Sequence, residues 1–159
     1  MKIDKYLAEG KISKIQETEK ERYLTFFTNS YKENKKLAEQ LVSTFPRWAI
    51  IAGYYAMHDS AKLLLAKHYN LKIDYNVHIT TIEVLKEVST NRELKEELQE
   101  GYQLFTEYAN DLAQAKEERV KAQYYTGSPF MKEQYAKKAE QMITELVTPF
   151  IKKIEQGLG

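Results

Sequence analysis

The stretch Arg47–Tyr69 reads RWAIIAGYYAMHDSAKLLLAKHY, and it decides the fold. Within it, ten successive residues from Trp48 to Met57 carry no charge, and the run then stops on His58 and Asp59. A helix that is apolar on all sides has to be buried among other helices. We therefore expect His58 and Asp59 either to bond with partners inside the fold or to work at a cleft.

The composition predicts a single helical-bundle domain over residues 1–159. The chain has no cysteine, which excludes a disulfide framework and thiolate chemistry. No apolar leader follows the first residues, and the long apolar run is about half of the roughly 20 residues that a membrane span needs. We expect a cytoplasmic protein that does not cross a membrane. Basic and acidic side chains nearly balance, 24 against 23, so any contact with nucleic acid has to be local.

Apolar residues recur at spacings of three and four throughout the chain. This pattern predicts an all-α, up-and-down bundle of four main helices plus a short helix. The first helix is expected over about Ile15–Ser43, and the second from Pro46 to about His68. The short third helix follows Val77. The fourth helix is expected to run to about Tyr125, and the fifth to begin at Pro129.

Local signals mark several helix ends. Pro46 suits the first position of the second helix, because its missing N–H would have no partner there anyway. Thr90 and Glu93 have the spacing of a capping box at the start of the fourth helix. Pro149 removes one backbone hydrogen bond and should kink the fifth helix. The residues expected to face the core include Tyr23, Phe27, Tyr31, Leu37, Leu41, Ile79 and Ile82.

Two charged residues fall on apolar faces of these helices. The apolar seam of the fourth helix, continued past Leu112 and Ala115, places Arg119 at a core-facing position. Asp59 interrupts a face of the second helix. If the two converge across the bundle, they form a polar pocket in which the guanidinium can hold a phosphate. The alternatives stay open: Arg119 snorkels to water or pairs with a carboxylate, and Lys62 neutralises Asp59 at the surface.

The three histidines do not have the spacing of a metal site. His58 and His68 are ten residues apart, which puts them about 80° apart around a helix, and no His-x3-His or Glu-x-x-His pair is present. His78 opens the third helix, and we expect it to cap that helix or to pack at the loop. No metal and no cofactor are therefore predicted. General acid-base chemistry would fall to His58, Asp59 or a tyrosine.

Three segments resemble the higher eukaryote and prokaryote nucleotide-binding family, HEPN. GYYAMHDSAKLLL, residues 53–65, and His78–Ile82 resemble its second helix and following turn, and RVKAQYY, Arg119–Tyr125, is similar to the Arg-x-x-Ala-Asp-Tyr end of a later helix. The resemblance implies a helical bundle that usually forms a homodimer and binds or acts on RNA or nucleotides. It also implies a nucleotidyltransferase partner protein and a role in toxin-antitoxin or defence systems. Helix-edge aromatic residues such as Tyr54 or Trp48 are candidates for the dimer interface.

The candidate phosphate- and RNA-binding residues are Arg119, Tyr124, Tyr125, Asp59 and His58. In ribonuclease members of the family, a histidine follows the arginine after four to six residues and helps activate the RNA 2'-hydroxyl without a metal. Tyr124, Tyr125 and Thr126 stand at those positions in this chain. Tyrosine, with an ordinary pKa of about 10, is a poor base at neutral pH compared with histidine, at about 6.5. This favours a non-catalytic binding module. The alternatives are a metal-independent endoribonuclease with a degenerate motif and a purely structural adaptor bundle.

Replacing Arg119 by alanine is expected to weaken the binding of RNA or nucleotide and to flatten its salt dependence, because one phosphate contact is lost. Titration of a labelled RNA with the wild-type and Arg119→Ala proteins at several salt concentrations measures both effects. An affinity that the substitution leaves unchanged would show that the predicted pocket is wrong.

Overall fold

Residues 2–109 and 129–159 are described by a computed structural model of the chain, and they form the all-α bundle that the sequence predicts. The helices are α1 (Lys2–Ala8), α2 (Glu17–Leu41), α3 (Pro46–Tyr69), α4 (Val77–Val88), α5 (Arg92–Ala109), α6 (Pro129–Met142) and α7 (Thr148–Leu158), with a π-helical turn (Ile143–Val147) between the last two. Two short strands, β1 (Ile12–Lys14) and β2 (Leu71–Ile73), accompany them. None of the helices in these two ranges is long and apolar enough to cross a membrane.

α3 lies at the centre of the bundle, as its apolar sequence predicts. It packs against α2, α4, α5, α6 and α7. Most of its residues from Ala49 to Ala66 are buried, including the polar sequence His58-Asp59-Ser60. Pro46 occupies the first turn as predicted, and Asn70 ends the helix in the left-handed conformation, with φ 59°.

α2 and α3 form an antiparallel hairpin whose open end is joined by a small sheet. β1 comes shortly before α2 and β2 directly after α3, and the two strands pair antiparallel with Ser13 opposite Lys72. This pairing holds the start of α2 beside the end of α3, so the two helices run in opposite directions. The sequence pattern does not predict these strands, because three residues are too few to display an alternation of apolar and polar side chains.

Two residues that were predicted to face the core are exposed instead. Leu37 of α2 is 45% exposed, and its neighbour Ala38 is buried in its place. Ala38 faces Gly53 of α3, where an added Cβ atom would lie 3.9 Å from the Cβ of Ala38. The small side chains let the two helices approach closely, which a leucine at the contact would prevent. Ile79 of α4 is 52% exposed, because the buried stripe of α4 begins one residue later, at Thr80.

Asn91, rather than Thr90, caps the start of α5. The helix begins at Arg92, and the Oδ1 atom of Asn91 accepts a hydrogen bond from the backbone N–H of Glu93 at 3.0 Å. The hydroxyl of Ser89 in turn accepts a hydrogen bond from the backbone N–H of Asn91 at 3.1 Å. The predicted capping box with Thr90 as the cap is therefore wrong by one residue, because the helix starts one residue later than the spacing indicates.

Pro149, at which a kink was predicted, directly follows an interruption of the last long helix. Ahead of it, the backbone widens into the π-helical turn, in which the N–H of Thr148 donates to the carbonyl of Ile143, five residues earlier. Proline has no N–H with which to bond the carbonyl four residues before it, and the shifted pattern accommodates this missing donor. The turn also packs on α3, since a Cβ atom added to Gly53 would lie 3.2 Å from Cγ2 of Val147.

Replacing Asn91 by alanine is expected to lower the free energy of unfolding by about 1 kcal/mol, because the N–H of Glu93 loses its acceptor at the start of α5. Thr90→Ala is the matched control and is expected to change the stability by less than about 0.5 kcal/mol. Urea denaturation of the three proteins, followed by circular dichroism, measures the difference. A larger loss in Thr90→Ala than in Asn91→Ala would restore the capping box of the sequence prediction.

Candidate functional site

Two of the predicted site residues, His58 and Asp59, lie in the described part of the chain. Both are buried in the middle of α3. Arg119, Tyr124 and Tyr125 fall within residues 110–128, outside the described residues. The predicted convergence of Asp59 with Arg119 therefore stays a prediction.

The carboxylate of Asp59 is held by side chains of α2. The hydroxyl of Ser30 donates to Oδ2 of Asp59 at 2.6 Å, and the amide of Asn34 donates to the same oxygen at 3.3 Å. Lys62, which was an alternative partner, places its ammonium over the ring of Phe27, 4.4 Å from the centroid. Burial lowers the pKa of Lys62, although the charge of Asp59 opposes this shift. Asp59 thus has partners inside the fold.

His58 and His78 lie side by side, with their ring centroids 5.0 Å apart. His58 is only 3% exposed, whereas His78, near the start of α4, is partly exposed. Other rings surround this pair. We call the group the aromatic cluster, and it consists of His58, His78, Tyr54, Tyr55, Tyr102 and Phe105. Of the two expectations for His78, capping is wrong, because Asn76 holds the cap position of α4, and packing is confirmed.

The hydroxyl of Tyr54 determines which nitrogen of His78 carries a proton. Tyr54 is fully buried, and its Oη lies 2.6 Å from Nδ1 of His78. Burial raises the pKa of Tyr54 far above its ordinary value, so the phenol stays protonated. Its O–H therefore donates a hydrogen bond to Nδ1 of His78. His78 then carries its own hydrogen on Nε2. Burial, together with the nearby His58 and Lys62, lowers the pKa of His78 from 6.5 to about 4, and its ring is neutral at pH 7.

His58 joins α3 to the first residue of α4. Its Nε2 donates a long hydrogen bond of 3.5 Å to the carbonyl of Val77, and its Nδ1 lies 3.9 Å from Oδ1 of Asp59. Both ring nitrogens therefore face groups of the protein itself. Across residues 2–109 and 129–159, no group of three or more histidine, aspartate and glutamate side chains is close enough together to hold a metal ion.

A groove of about 460 Å³ lies between α1, α4 and α5, next to the aromatic cluster. Tyr102 belongs to both, since its ring stacks on His78 at 5.3 Å and also forms part of the groove wall. We call this groove the lysine groove. Its lining residues are Lys2, Ile79, Ile82, Glu83, Lys86, Lys95, Gln99, Tyr102, Gln103 and Thr106. Sequence reasoning missed this feature, because its lysines come from three separate helices and no local spacing connects them.

The two aromatic residues considered for a dimer interface differ in exposure. Tyr54 is completely buried in the aromatic cluster, so its assignment to an interface is wrong. The sequence pattern is misleading here because α3 is apolar all round and gives no sign of which face meets other helices. Trp48, at the start of α3, is 55% exposed.

Replacing Ser30 by alanine is expected to destabilise the protein by about 2 kcal/mol, because the buried carboxylate of Asp59 loses a short hydrogen bond to a charged acceptor. Asn29→Ala, at the exposed neighbouring position of α2, is the matched control and should change the stability by less than about 0.5 kcal/mol. Chemical denaturation at pH 7 measures both. Equal effects of the two substitutions would mean that Ser30 does not hold Asp59.

No protein-family model, curated protein or solved structure matches this chain. The HEPN resemblance therefore rests on the three short segments that carry it and stays a prediction. What the described residues establish is an all-α bundle in which an aromatic cluster and a lysine groove adjoin each other.

Proposed function

We propose that this chain is a HEPN-like module that binds RNA or nucleotides and has no catalytic activity of its own. The resemblance of residues 53–65, 78–82 and 119–125 suggests this class of ligand. The observation that carries the proposal is the lysine groove, which offers positive charge, hydrogen-bonding groups and an aromatic wall in one place.

Each part of the lysine groove suits a part of a nucleotide. Among the described residues, no carboxylate pairs with Lys86 or Lys95, so both ammonium groups are available to phosphate. Gln99 and Gln103 present amide groups that can donate to and accept from the edge of a base. Tyr102 supplies a ring on which a base can stack. The volume of about 460 Å³ lies within the usual range of small-molecule sites.

The ribonuclease alternative gains little support from the two histidines. His58 is 3% exposed and its ring nitrogens face Val77 and Asp59, so a substrate has no access to it in this arrangement. His78 bonds to Tyr54 through Nδ1, and its lowered pKa of about 4 makes it a weak base at neutral pH. The structural-adaptor alternative predicts that the lysine groove binds neither RNA nor nucleotide.

The remaining parts of the proposal come from the HEPN resemblance. They are a homodimer, a nucleotidyltransferase partner protein and a place in a toxin-antitoxin or defence system; the cytoplasmic location is proposed from the composition instead. Of the two aromatic residues considered for the dimer interface, Trp48 is exposed and remains a candidate. Measurement of the mass in solution tests the homodimer directly.

Replacing Lys86 and Lys95 together by alanine is expected to weaken the binding of a fluorescein-labelled single-stranded RNA by about tenfold or more, because two phosphate contacts are lost. The slope of log K against log salt should fall by about 1.4, at about 0.7 for each phosphate contact on a single strand. Fluorescence anisotropy over a series of salt concentrations measures both quantities. Lys32→Ala/Lys36→Ala, on the exposed surface of α2, is the control with the same change in net charge.

Equal losses in the two double variants would show that the binding is non-specific and would exclude the lysine groove as the site. A wild-type protein that binds neither the RNA nor a labelled mononucleotide would contradict the proposal and favour the structural adaptor. Cleavage of the RNA by the wild-type protein in the presence of chelator would favour the ribonuclease. Comparison with Arg119→Ala then tells whether the arginine belongs to the same binding surface as the two lysines.

A further inference from the structure

The first turn of α4 is attached to α3 through two imidazoles. His78 accepts the hydroxyl hydrogen of Tyr54 at its Nδ1, and His58 donates from its Nε2 to the carbonyl of Val77. The two rings also contact each other, with 5.0 Å between their centroids. The polar contacts of this turn with α3 therefore depend on the protonation of histidine, the side chain that ordinarily titrates nearest to neutral pH.

We propose that the His58–His78 pair is a pH-sensitive latch, which holds the first turn of α4 on α3 at neutral pH and releases it under mildly acidic conditions. The neutral ring of His78 fits the contacts just described. A proton added to that ring disrupts them in two ways.

The first effect is on the bond between Tyr54 and His78. A proton on Nδ1 of His78 takes away the lone pair that accepts the hydroxyl hydrogen of Tyr54, and this N–H can then only donate to the hydroxyl oxygen. Among the described residues, the hydroxyl hydrogen has no second acceptor, and a buried donor without a partner is unfavourable by about 1–3 kcal/mol. Tyr54 is fully buried, so water cannot replace the lost acceptor while α4 stays in place.

The second effect is electrostatic. A charged His78 would lie beside His58 and near Lys62, with most of its surroundings made of aromatic rings. The titratable groups nearest to the pair are Tyr54, Tyr55, Asp59 and Lys62 of α3 and Tyr102 of α5. The one carboxylate among them, Asp59, already accepts hydrogen bonds from Ser30 and Asn34.

The charged and titratable side chains that α1 and β2 present near α4 bond to partners other than His58 and His78. α1 presents Tyr6, which donates to Glu83, and Lys2, which pairs with Glu87 at 3.6 Å. β2 carries Lys72, which bonds to Glu19 of α2. The contacts of Glu83 and Glu87 lie away from the first turn of α4, and they hold the later part of that helix. The lowered pKa of His78 agrees with a site that disfavours the added proton.

Release of this turn would alter one wall of the lysine groove. Ile79, Ile82 and Lys86 of α4 line that groove, and Tyr102, which also lines it, stacks on His78. Acidification is therefore expected to weaken ligand binding there. This consequence rests on the proposed function, whereas the release of α4 does not.

Amide hydrogen exchange of the 159-residue chain at pH 7 and pH 5 tests the latch. Dividing the observed exchange rates of residues 80–85 by the intrinsic rates at the same pH gives the equilibrium constant for the opening of α4. If His78 titrates at about 4 in place and at its ordinary 6.5 after release, opening should increase roughly twentyfold between pH 7 and pH 5. Amides of α7 should change by less than about threefold, since that helix ends beside Lys67 of α3, away from the pair.

Two variants distinguish the latch from a non-specific loss of stability at low pH. Tyr54→Phe/His78→Phe keeps both rings and removes the titrating group together with its hydroxyl partner, so the increase at α4 should disappear. His68→Gln removes the exposed histidine in the last turn of α3 and should leave the increase unchanged. An increase that persists in the double variant overturns the proposal.

A measurement on the wild-type protein keeps the test valid if the double variant does not fold. Titration of the histidine ring signals by NMR should give His78 a pKa well below its ordinary value of 6.5. An ordinary pKa for His78, or unchanged protection of α4 at pH 5, would overturn the latch whether or not the protein binds RNA. Increased opening of α4 in a protein that binds no RNA or nucleotide at either pH would support the latch and contradict the proposed function.

Discussion

The burial of α3 on all sides is the constraint on which the rest of the structure depends. A buried helix has no face from which a polar side chain can reach water, so every such group needs a partner within the protein. Asp59 finds its partners in Ser30 and Asn34 of α2, and Tyr54 finds His78 at the start of α4. The positions of α2 and α4 are therefore linked to the polar residues of α3 as well as to its apolar ones.

Close packing around α3 also depends on small residues. Gly53 lies between Ala38 of α2 and Val147 of the π-helical turn, and an added Cβ atom there would be within 3.9 Å of both side chains. The distortion ahead of Pro149 brings the turn of α6 and α7 against the same glycine. The absence of a side chain at Gly53 thus allows both α2 and the π-helical turn to pack closely against α3.

The burial of α3 also affects the protonation of His78 and the lysine groove beside it. Because His78 is surrounded by rings and lies near Lys62, its pKa is lowered, and in the proposed latch its protonation is coupled to the position of α4. α4 and α5 in turn form the walls of the lysine groove, with Tyr102 shared between the two features. Any function of this groove is therefore expected to respond to the packing of residues that never contact the ligand.

The sequence by itself determined the helical class, the central place of α3 and the start of that helix at Pro46, because these follow from composition and from neighbouring residues. Periodicity was insufficient at Leu37 and Ile79, where helix approach and rotation decide which neighbour is buried. Only the tertiary structure decided that His58 meets His78 and that lysines from separate helices line one groove. The physical reason is that such contacts join residues far apart in the chain, and their formation depends on how whole helices pack.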